Sequence, residues 1–599
     1  MGDSTPSIRT LATARLVIGG IQGLALYVLF LAFTDRFWPA TNGLVFAPSV
    51  LIALFVPLIV AQALGNMRLR TLALWTAAAT VIVGGLGVYD IWHAWPVDWF
   101  SGIPPTSRPH VLPSPELFGA LVAGLFIAHA LITGGDAERK LVANYTTYFD
   151  VAWKHGVQVA LAVAFVGAFW AVLFLGAGLF DLINIDFIRE VIERRWFAIP
   201  ATTLAFSAAL HVTDVRAGIV RGLRTLGLSL LSWLLPLMVL IGVGFLAALV
   251  FTGVQPLWDT NFAATLLLIA FGALVVLLNA AYQDGDAERE TPRPLRYPGT
   301  IAALTVLPLA ALAGYAVYLR VEQYGWTAPR IYAGACAFVA AFYAIGYAYA
   351  GLGRGPWLKR IEAWNVYGAL LVLVVLLALF TPIADPYRIS VASQLARLHN
   401  GTVTAAQFDF ANLRWAGGRY GQLALERLKA SDGPEAESIR EAATRALLAT
   451  NQYAQPYDPE FVTTNVAVHP AGATLPASFL AQDWTVLSNR RRDVPPLLCL
   501  RGARSAMCDA WVMDLDGDGT SEIVVLERET AHVFRSAAES TWQHVGSWTL
   551  PANCPRITGE MMAGRFTTVT PEPSRWPDLE VSGMRLRLLE NEPVPACPN

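Results

Sequence analysis

Eleven apolar runs alternate with short polar connections between residues 14 and 384, and a polar stretch of about 215 residues follows them. A membrane span needs roughly 20 apolar residues, because hydrocarbon offers the backbone no partner and every N–H and C=O must be satisfied within the segment. The runs fall at about 14–33, 44–64, 71–89, 115–134, 158–180, 197–213, 226–253, 261–281, 298–319, 331–351 and 364–384. The sixth is short and interrupted by Pro200. Among the connections, 90–114 is rich in Trp and Pro, as interfacial loops are. Residues 145–155 read as an amphipathic lead into the fifth helix, and 181–196 as a surface loop with room for a short helix. The first run exceeds a signal-peptide core, and no small-residue cleavage site precedes Asp35-Arg36-Phe37-Trp38.

Behind the spans the periodicity changes twice. Val391–Leu398 and Tyr420–Leu428 carry apolar residues at helical spacing, and a third helix is expected over Glu435–Thr450. From about residue 480 come short β-type runs, Ala510–Met513, Glu522–Leu526, His532–Phe534 and His544–Trp548, separated by Gly, Asp, Pro and Ser. The pattern predicts an α-helical polytopic membrane protein of about eleven transmembrane helices, followed by an α+β domain with a small antiparallel β region. Its expected divisions are 1–384, a transmembrane helical domain; 385–478, a helical linker region; and 479–599, a β-rich domain.

Composition agrees: 55% hydrophobic and 15% charged residues lie outside the range of soluble proteins. A net charge of -2 argues against a nucleic-acid partner and leaves the lipid bilayer as the expected surroundings. Orientation follows from the basic residues. The N-terminus and the loops on its side hold sixteen Lys and Arg, whereas the opposite loops hold seven (Arg36, Arg108, Arg189, Arg194, Arg195, Arg320 and Arg330). The N-terminus is therefore expected inside and, after eleven spans, the tail outside. Four of the five cysteines (Cys499, Cys508, Cys554, Cys597) lie in that tail, an even number suited to an oxidising space. Proximity favours Cys499–Cys508 and Cys554–Cys597 among three possible connectivities. Cys336 reads as a small apolar residue of the tenth helix.

The sharpest chemical signal is Asp514-x-Asp516-x-Asp518-Gly519-Thr520-Ser521-Glu522. Alternate carboxylates gather hard oxygen donors in one turn, and Gly519 permits the reversal, so Asp514, Asp516, Asp518, Thr520 and Glu522 are the candidate ligands of a structural Ca²⁺. An EF-hand would need a Glu where Val525 stands, so the loop is closer to the strand-flanked Ca²⁺ turns of FG-GAP repeats. A solvated Asp/Gly-rich turn is the plainer alternative. Within the spans Gln22, Gln62, His129, His211 and Asn279 are the polar candidates, with Asn279 near Tyr282, Gln283 and Asp284 ranked first. No Asp–Arg couple is expected inside a helix, and no nucleophile motif, phosphate loop or zinc spacing is present. Asp90 and His93 could form an acid–base pair, although scattered interfacial polarity explains them more simply. Gly135–Arg139 and Gly285–Arg289 repeat Gly-Asp-Ala-Glu-Arg, which suits a duplication or, more plainly, similar helix ends.

Several stretches resemble a bacterial family of polytopic inner-membrane proteins, domain of unknown function 4153. They are Phe149–Gly156, Phe251–Trp258, Asn279–Gly285, Arg320–Thr327, Phe408–Arg414 and Gly417–Gly421. The resemblance implies an inner-membrane location with the tail in the periplasm, and it supplies no catalytic residues. The sequence supports a transport- or channel-like role with a periplasmic recognition domain. Its alternatives are a structural or sensory envelope protein binding a periplasmic protein or glycan, and a lipid-sugar-dependent membrane glycosyltransferase. The absence of catalytic motifs favours a non-enzyme, and the sequence leaves the oligomeric state open.

Overall fold

Among the described residues, eleven helices are long and apolar enough to cross a membrane. They are α1 (Ile8–Asp35), α2 (Gly43–Ala63), α3 (Leu69–Ala94), α4 (Pro115–Glu138), α5 (Tyr145–Asp181), α7 (Arg195–Val215), α8 (Ala217–Thr252), α10 (Ala263–Tyr282), α11 (Arg293–Tyr324), α12 (Ala328–Gly351) and α13 (Ile361–Leu379). Two short helices, α6 (Phe187–Glu193) and α9 (Gln255–Trp258), sit between spans. The computed structural model describes residues 7–94, 111–258, 260, 262–285 and 291–449. In the C-terminal part it describes 466–470, 472–482, 484, 497, 499–500, 508–527, 530–538, 541–550, 555–563, 565, 567, 569, 579–581 and 584–586.

Three expectations change in detail. Helix α3 continues to Ala94, so Tyr89–Ala94 are helical rather than loop, and the rest of that connection to residue 110 lies outside the described residues. Residues 145–155 are the first turns of α5 itself, whose 37 residues give about 55 Å of helix, well beyond a ~30 Å hydrocarbon layer. Pro200 does not interrupt α7, because it falls near the helix start, where its missing N–H costs one bond. The loop after α5 does hold the short helix α6. Most of the second Gly-Asp-Ala-Glu-Arg copy, residues 286–289, lies outside the described residues.

Close approach and carbonyl rescue organise the first helices. Gly19 and Gly23, one GxxxG spacing, let α1 lie on α7: a Cβ on Gly23 would stand 2.6 Å from Pro200 Cα, and one on Gly19 2.8 Å from Ser207 Cβ. Pro57 inside α2 deprives the Ala53 carbonyl of its helical donor, and the Gln22 amide of α1 donates to it at 3.2 Å and to Leu54 O at 2.9 Å. One apolar core joins α8, α10, α11 and α12 through Leu235, Phe271, Leu274, Val306 and Tyr347, with alanines such as Ala302, Ala313 and Ala344 at the contacts. A second joins α2, α3 and α4 through Leu51, Trp75, Val83 and Leu121, and includes Ile331 and Phe380. Leu, Val, Ile and Phe remain exposed along these helices, the pattern lipid solvation produces.

The chain divides into two units, Met1–Leu447 and Leu448–Asn599. The first continues past α13 into α14 (Pro386–His399), α15 (Phe410–Ala416), α16 (Gly418–Leu428) and α17 (Ala436–Leu448), which share a core of Leu398, Phe408, Phe410, Leu413, Leu425 and Ile439. The start of α16 rests on the end of α3. There Arg419 lies 4.6 Å over the Trp92 ring, and the Tyr89 and Tyr420 hydroxyls meet at 3.2 Å. Gly418 is obligatory at that contact, since its φ is +53° and a Cβ would reach to 2.6 Å from His93 O.

The second unit holds β1 (Val466–His469), β2 (Cys508–Met513), β3 (Glu522–Glu527), β4 (Thr530–Ala538) and β5 (Thr541–Thr549) in one sheet ordered 1-2-3-4-5. The expected antiparallel region is corrected here: β1 pairs parallel with β2, so the sheet is mixed. Strand β3 is apolar on both faces (Ile523–Leu526) because each face is covered, one by Phe479, Trp484, Phe534 and Trp542, the other by Trp511, Ala531 and Val533. A short helix, α18 (Ala477–Ala481), brings Phe479 to that core. Cys499 and Cys508 are joined in a disulfide. Cys554 and Cys597 lie outside the described residues. Cys336 is a free cysteine of α12 with an exposed position.

Candidate functional site

The polar residues of the membrane body gather in three places. The first lies between α1, α2, α5 and α7. Arg15, 1% exposed, donates through Nε to Ala61 O at 2.9 Å and through Nη2 to Leu64 O at 2.8 Å, closing the C-terminal end of α2. The same Nη2 meets Asp214 Oδ2 at 2.7 Å. Lys154 Nζ reaches Asp214 Oδ1 at 3.2 Å and Asn66 Oδ1 at 3.0 Å, and the Gln158 amide donates to Asp214 Oδ1 at 3.2 Å. A buried Arg–Asp couple therefore joins α1 to the last turn of α7. Helix α1 begins at Ile8, capped by Ser7, so Arg15 sits two turns inside the helix rather than at a loop edge.

Two histidines continue this network. The His129 and His155 rings lie 4.9 Å apart, and both residues are buried. Trp75 Nε1 donates to His129 Nδ1 at 3.1 Å, which assigns the His129 proton to Nε2. His129 Nε2, His155 Nδ1, Gln62 Nε2 and Ser207 Oγ are all buried without a protein partner among the described residues. Such groups in a nonpolar interior need water or an ion to satisfy them. His211 touches the same network weakly, its Nδ1 3.5 Å from Arg15 Nη1.

Asn279, the first-ranked candidate, is instead fully engaged. It donates to Tyr347 Oη at 2.6 Å, Tyr347 donates to Asn365 Oδ1 at 2.7 Å, and Asn365 returns a bond to Asn279 Oδ1 at 2.6 Å. This closed ring ties α10, α12 and α13 together, so its chemistry is helix–helix adhesion. Gln22 is likewise spent on α2 carbonyls.

The third cluster surrounds the end of α3. Asp90 accepts from Ser114 N at 2.8 Å and Ser114 Oγ at 2.6 Å, which fastens the start of α4, so both its oxygens are used. Among the described residues it makes no hydrogen bond to His93, which lies 3.5 Å from the buried Asp385. Asp385 accepts Tyr89 Oη at 2.5 Å and caps α14 through Tyr387 N at 2.8 Å and Arg388 N at 3.2 Å. Burial lifts the Tyr387 phenol above its ordinary pKa, and the charges of Glu116, Asp90 and Asp385 add to the shift.

A groove of about 670 Å³ opens between α9 and α11, with Trp258, Gln255, Tyr315, Arg320 and Gln323 on its walls. Two stretches of the family resemblance, Phe251–Trp258 and Arg320–Thr327, meet here: Arg320 Nη2 donates to Trp258 O at 3.2 Å and Thr260 O at 3.1 Å.

In the second unit the acidic loop is the β2–β3 hairpin, Met513 pairing with Glu522. Oxygens of Asp514, Asp516 and Glu522 lie within 4.8 Å of one another. Asp514 accepts from Gly517 N at 2.7 Å and Gly519 N at 3.0 Å, turns that need Gly517 at φ +78° and Gly519 at φ +86°. Asp518 turns aside to the Thr520 hydroxyl and N–H, and these donors hold its carboxyl below the usual range. Of the five proposed ligands the structure thus brings three together and pairs the other two with each other. Glu522 is 3% exposed. Its Oε2 accepts Leu515 N at 2.8 Å, while Oε1 is buried without a partner among the described residues.

These features define a multi-pass α-helical membrane protein with buried ionic contacts inside the bundle and a small mixed sheet at its C-terminal end. Within that class, the family model "Domain of unknown function (DUF4153)" matches residues 23–428, and the chain belongs to this family. The match begins midway along α1, takes in the later spans and the helices through α16, and stops before the sheet and its acidic loop. No curated protein and no solved structure matches the chain.

Proposed function

We propose that the membrane body is a transporter that moves protons, alone or coupled to a solute, through the half built from α1, α2, α4, α5 and α7. The carrying observation is the Arg15–Asp214–Lys154 network beside the facing His129 and His155 rings, with unpartnered buried atoms on both histidines. Ionisable groups are expensive within a bilayer, and where retained they mark ion and proton routes. A neutral imidazole can accept a proton on one ring nitrogen and release one from the other, which suits a relay. We infer that the N-terminus is cytoplasmic and the tail periplasmic in a bacterial inner membrane. The sixteen-to-seven basic asymmetry and the Cys499–Cys508 disulfide support that orientation. The full chain in liposomes carrying an internal pH dye and an imposed potassium-diffusion potential tests the transport reading. Wild type should acidify the interior faster than empty liposomes, and His155→Gln should slow it about tenfold while melting normally. Wild-type liposomes no leakier to protons than empty ones would sink it.

For the tail we propose a structural Ca²⁺ held by Asp514, Asp516 and Glu522, with periplasmic recognition of a protein or glycan as the tail's role. The observation favouring the ion is Glu522 Oε1, buried, partnerless and beside two further carboxylates. Oxygens on opposite sides of one Ca²⁺ at about 2.4 Å stand at most about 4.8 Å apart, and the cluster's oxygens lie within that limit. Calorimetric titration of the full chain in neutral detergent should show one Ca²⁺ site that Mg²⁺ does not fill. Glu522→Gln should weaken it at least tenfold. Absence of Ca²⁺-specific heat in the wild type removes the site.

A further inference from the structure

A cavity of about 560 Å³ lies between α3, α4 and α13 at the basic-rich ends of these helices. Its mouth carries Arg68, Arg139 and Lys140, with Asp136 as the one carboxylate among its lining residues. Its walls are apolar, formed by Leu131, Ile132, Val366, Leu370 and Leu373. We propose that this cavity binds one anionic phospholipid of the surrounding bilayer, with the phosphate among the three cations and an acyl chain along α4 and α13.

The charge distribution favours an anion over an internal role. Asp136 is already satisfied, accepting from Arg68 N at 3.0 Å, Arg68 Nε at 2.7 Å and Thr71 Oγ1 at 2.5 Å. That contact orients Arg68 while leaving its Nη groups without partners among the described residues. Arg139 has no side-chain partner there either, and Lys140 pairs at 3.0 Å with Glu138 in an exposed bridge that contributes little. A guanidinium with free N–H groups matches phosphate oxygens in geometry as well as charge.

The turn that presents these groups is built from behind. Arg139 ends α4 in the left-handed conformation at φ +58°, and Lys140 N returns to Gly135 O at 3.0 Å. Tyr148 Oη accepts Ala143 N at 2.8 Å, and Glu138 Oε1 accepts Asn144 N at 3.0 Å and Thr147 Oγ1 at 2.5 Å. With its inner side held in this way, the turn exposes two cations followed by Leu141, 101% exposed, and Val142, 55% exposed. Cations beside apolar side chains at a helix end suit the boundary between headgroups and acyl chains, and basic pockets between spans take anionic headgroups. The walls then explain why the ligand is a lipid and not a free anion: Leu370 is itself 41% exposed, so the cavity is continuous with the lipid-facing surface.

Native mass spectrometry of the full chain, released from neutral detergent, tests the assignment with phosphatidylglycerol, phosphatidylcholine and inorganic phosphate as probes. Phosphatidylglycerol should be retained at one copy, at least fivefold more than phosphatidylcholine. The double variant R139N/K140Q should lose that preference, since Asn tolerates the left-handed position and neither side chain supports the fold. A second variant, Leu373→Trp, should lower retention of the lipid by filling the wall while leaving the cations in place. Equal retention of the two lipids, an unchanged preference in R139N/K140Q, or binding of inorganic phosphate as strong as that of phosphatidylglycerol would overturn the proposal.

Discussion

Replacing Asp214 with alanine is expected to destabilise the membrane body by about 3 kcal/mol, the lower end of the cost of breaking a buried ion pair. The lower end applies because the Asp214 side chain is 17% exposed, whereas Arg15 is at 1%. The loss leaves the Arg15 guanidinium with the Ala61 and Leu64 carbonyls and a long contact to His211, and it also strips Lys154 and Gln158 of their shared acceptor. Asp214→Asn keeps an acceptor without the charge and should fall between alanine and wild type. The double variant Arg15→Met, Asp214→Leu removes both charges and should recover most of the loss, since an apolar pair of similar volume needs no desolvation. Unfolding of purified protein by increasing SDS fraction reads the series. A midpoint for Asp214→Ala equal to wild type would show that the pair contributes nothing.

This network also marks where the sequence stopped being legible. The spans could be read because lipid forces each one to be continuous and apolar, and the β2–β3 hairpin because Asp and Gly separate two apolar runs. Asp514, Asp516 and Glu522 converge as their alternation suggests, but the turn of Asp518 toward Thr520 depends on local hydrogen bonds that spacing does not encode. Arg15 and Asp214 are 199 residues apart, and each sits near the end of its apolar run, where a charge ordinarily belongs to a loop. The Ser7 cap was the available signal: it starts α1 early enough to put Arg15 inside. Counting Arg15 and Lys154 as paired rather than free lowers the basic tally from sixteen to fourteen against seven, which leaves the expected orientation unchanged. The GxxxG of Gly19 and Gly23 was equally visible, yet its partner face on α7 was not. Strand β1 is four residues long, too short for alternation to separate it from a loop.

The second large effect is expected at Asp385, which is fully buried where the last span hands over to α14. Its Oδ1 caps α14 through two backbone N–H groups, and Oδ2 takes the Tyr89 hydroxyl from α3. Alanine there removes a cap, at about 1–2 kcal/mol, and leaves the Tyr89 hydroxyl to Tyr420 alone, a further cost of about 1 kcal/mol or more. The two losses share one side chain and will not add fully, so about 2–3 kcal/mol is expected. Asn keeps the cap and can still offer a polar atom to Tyr89, so Asp385→Asn should restore at least half of it. The effect should also be local. Hydrogen exchange should quicken in α14 and α16, which meet α3 through this contact, while α10, α11 and α12, packed around their own core, stay protected. If exchange in Asp385→Ala rose evenly across both groups of helices, Asp385 would be acting on the whole bundle rather than as the clasp between α3 and α14.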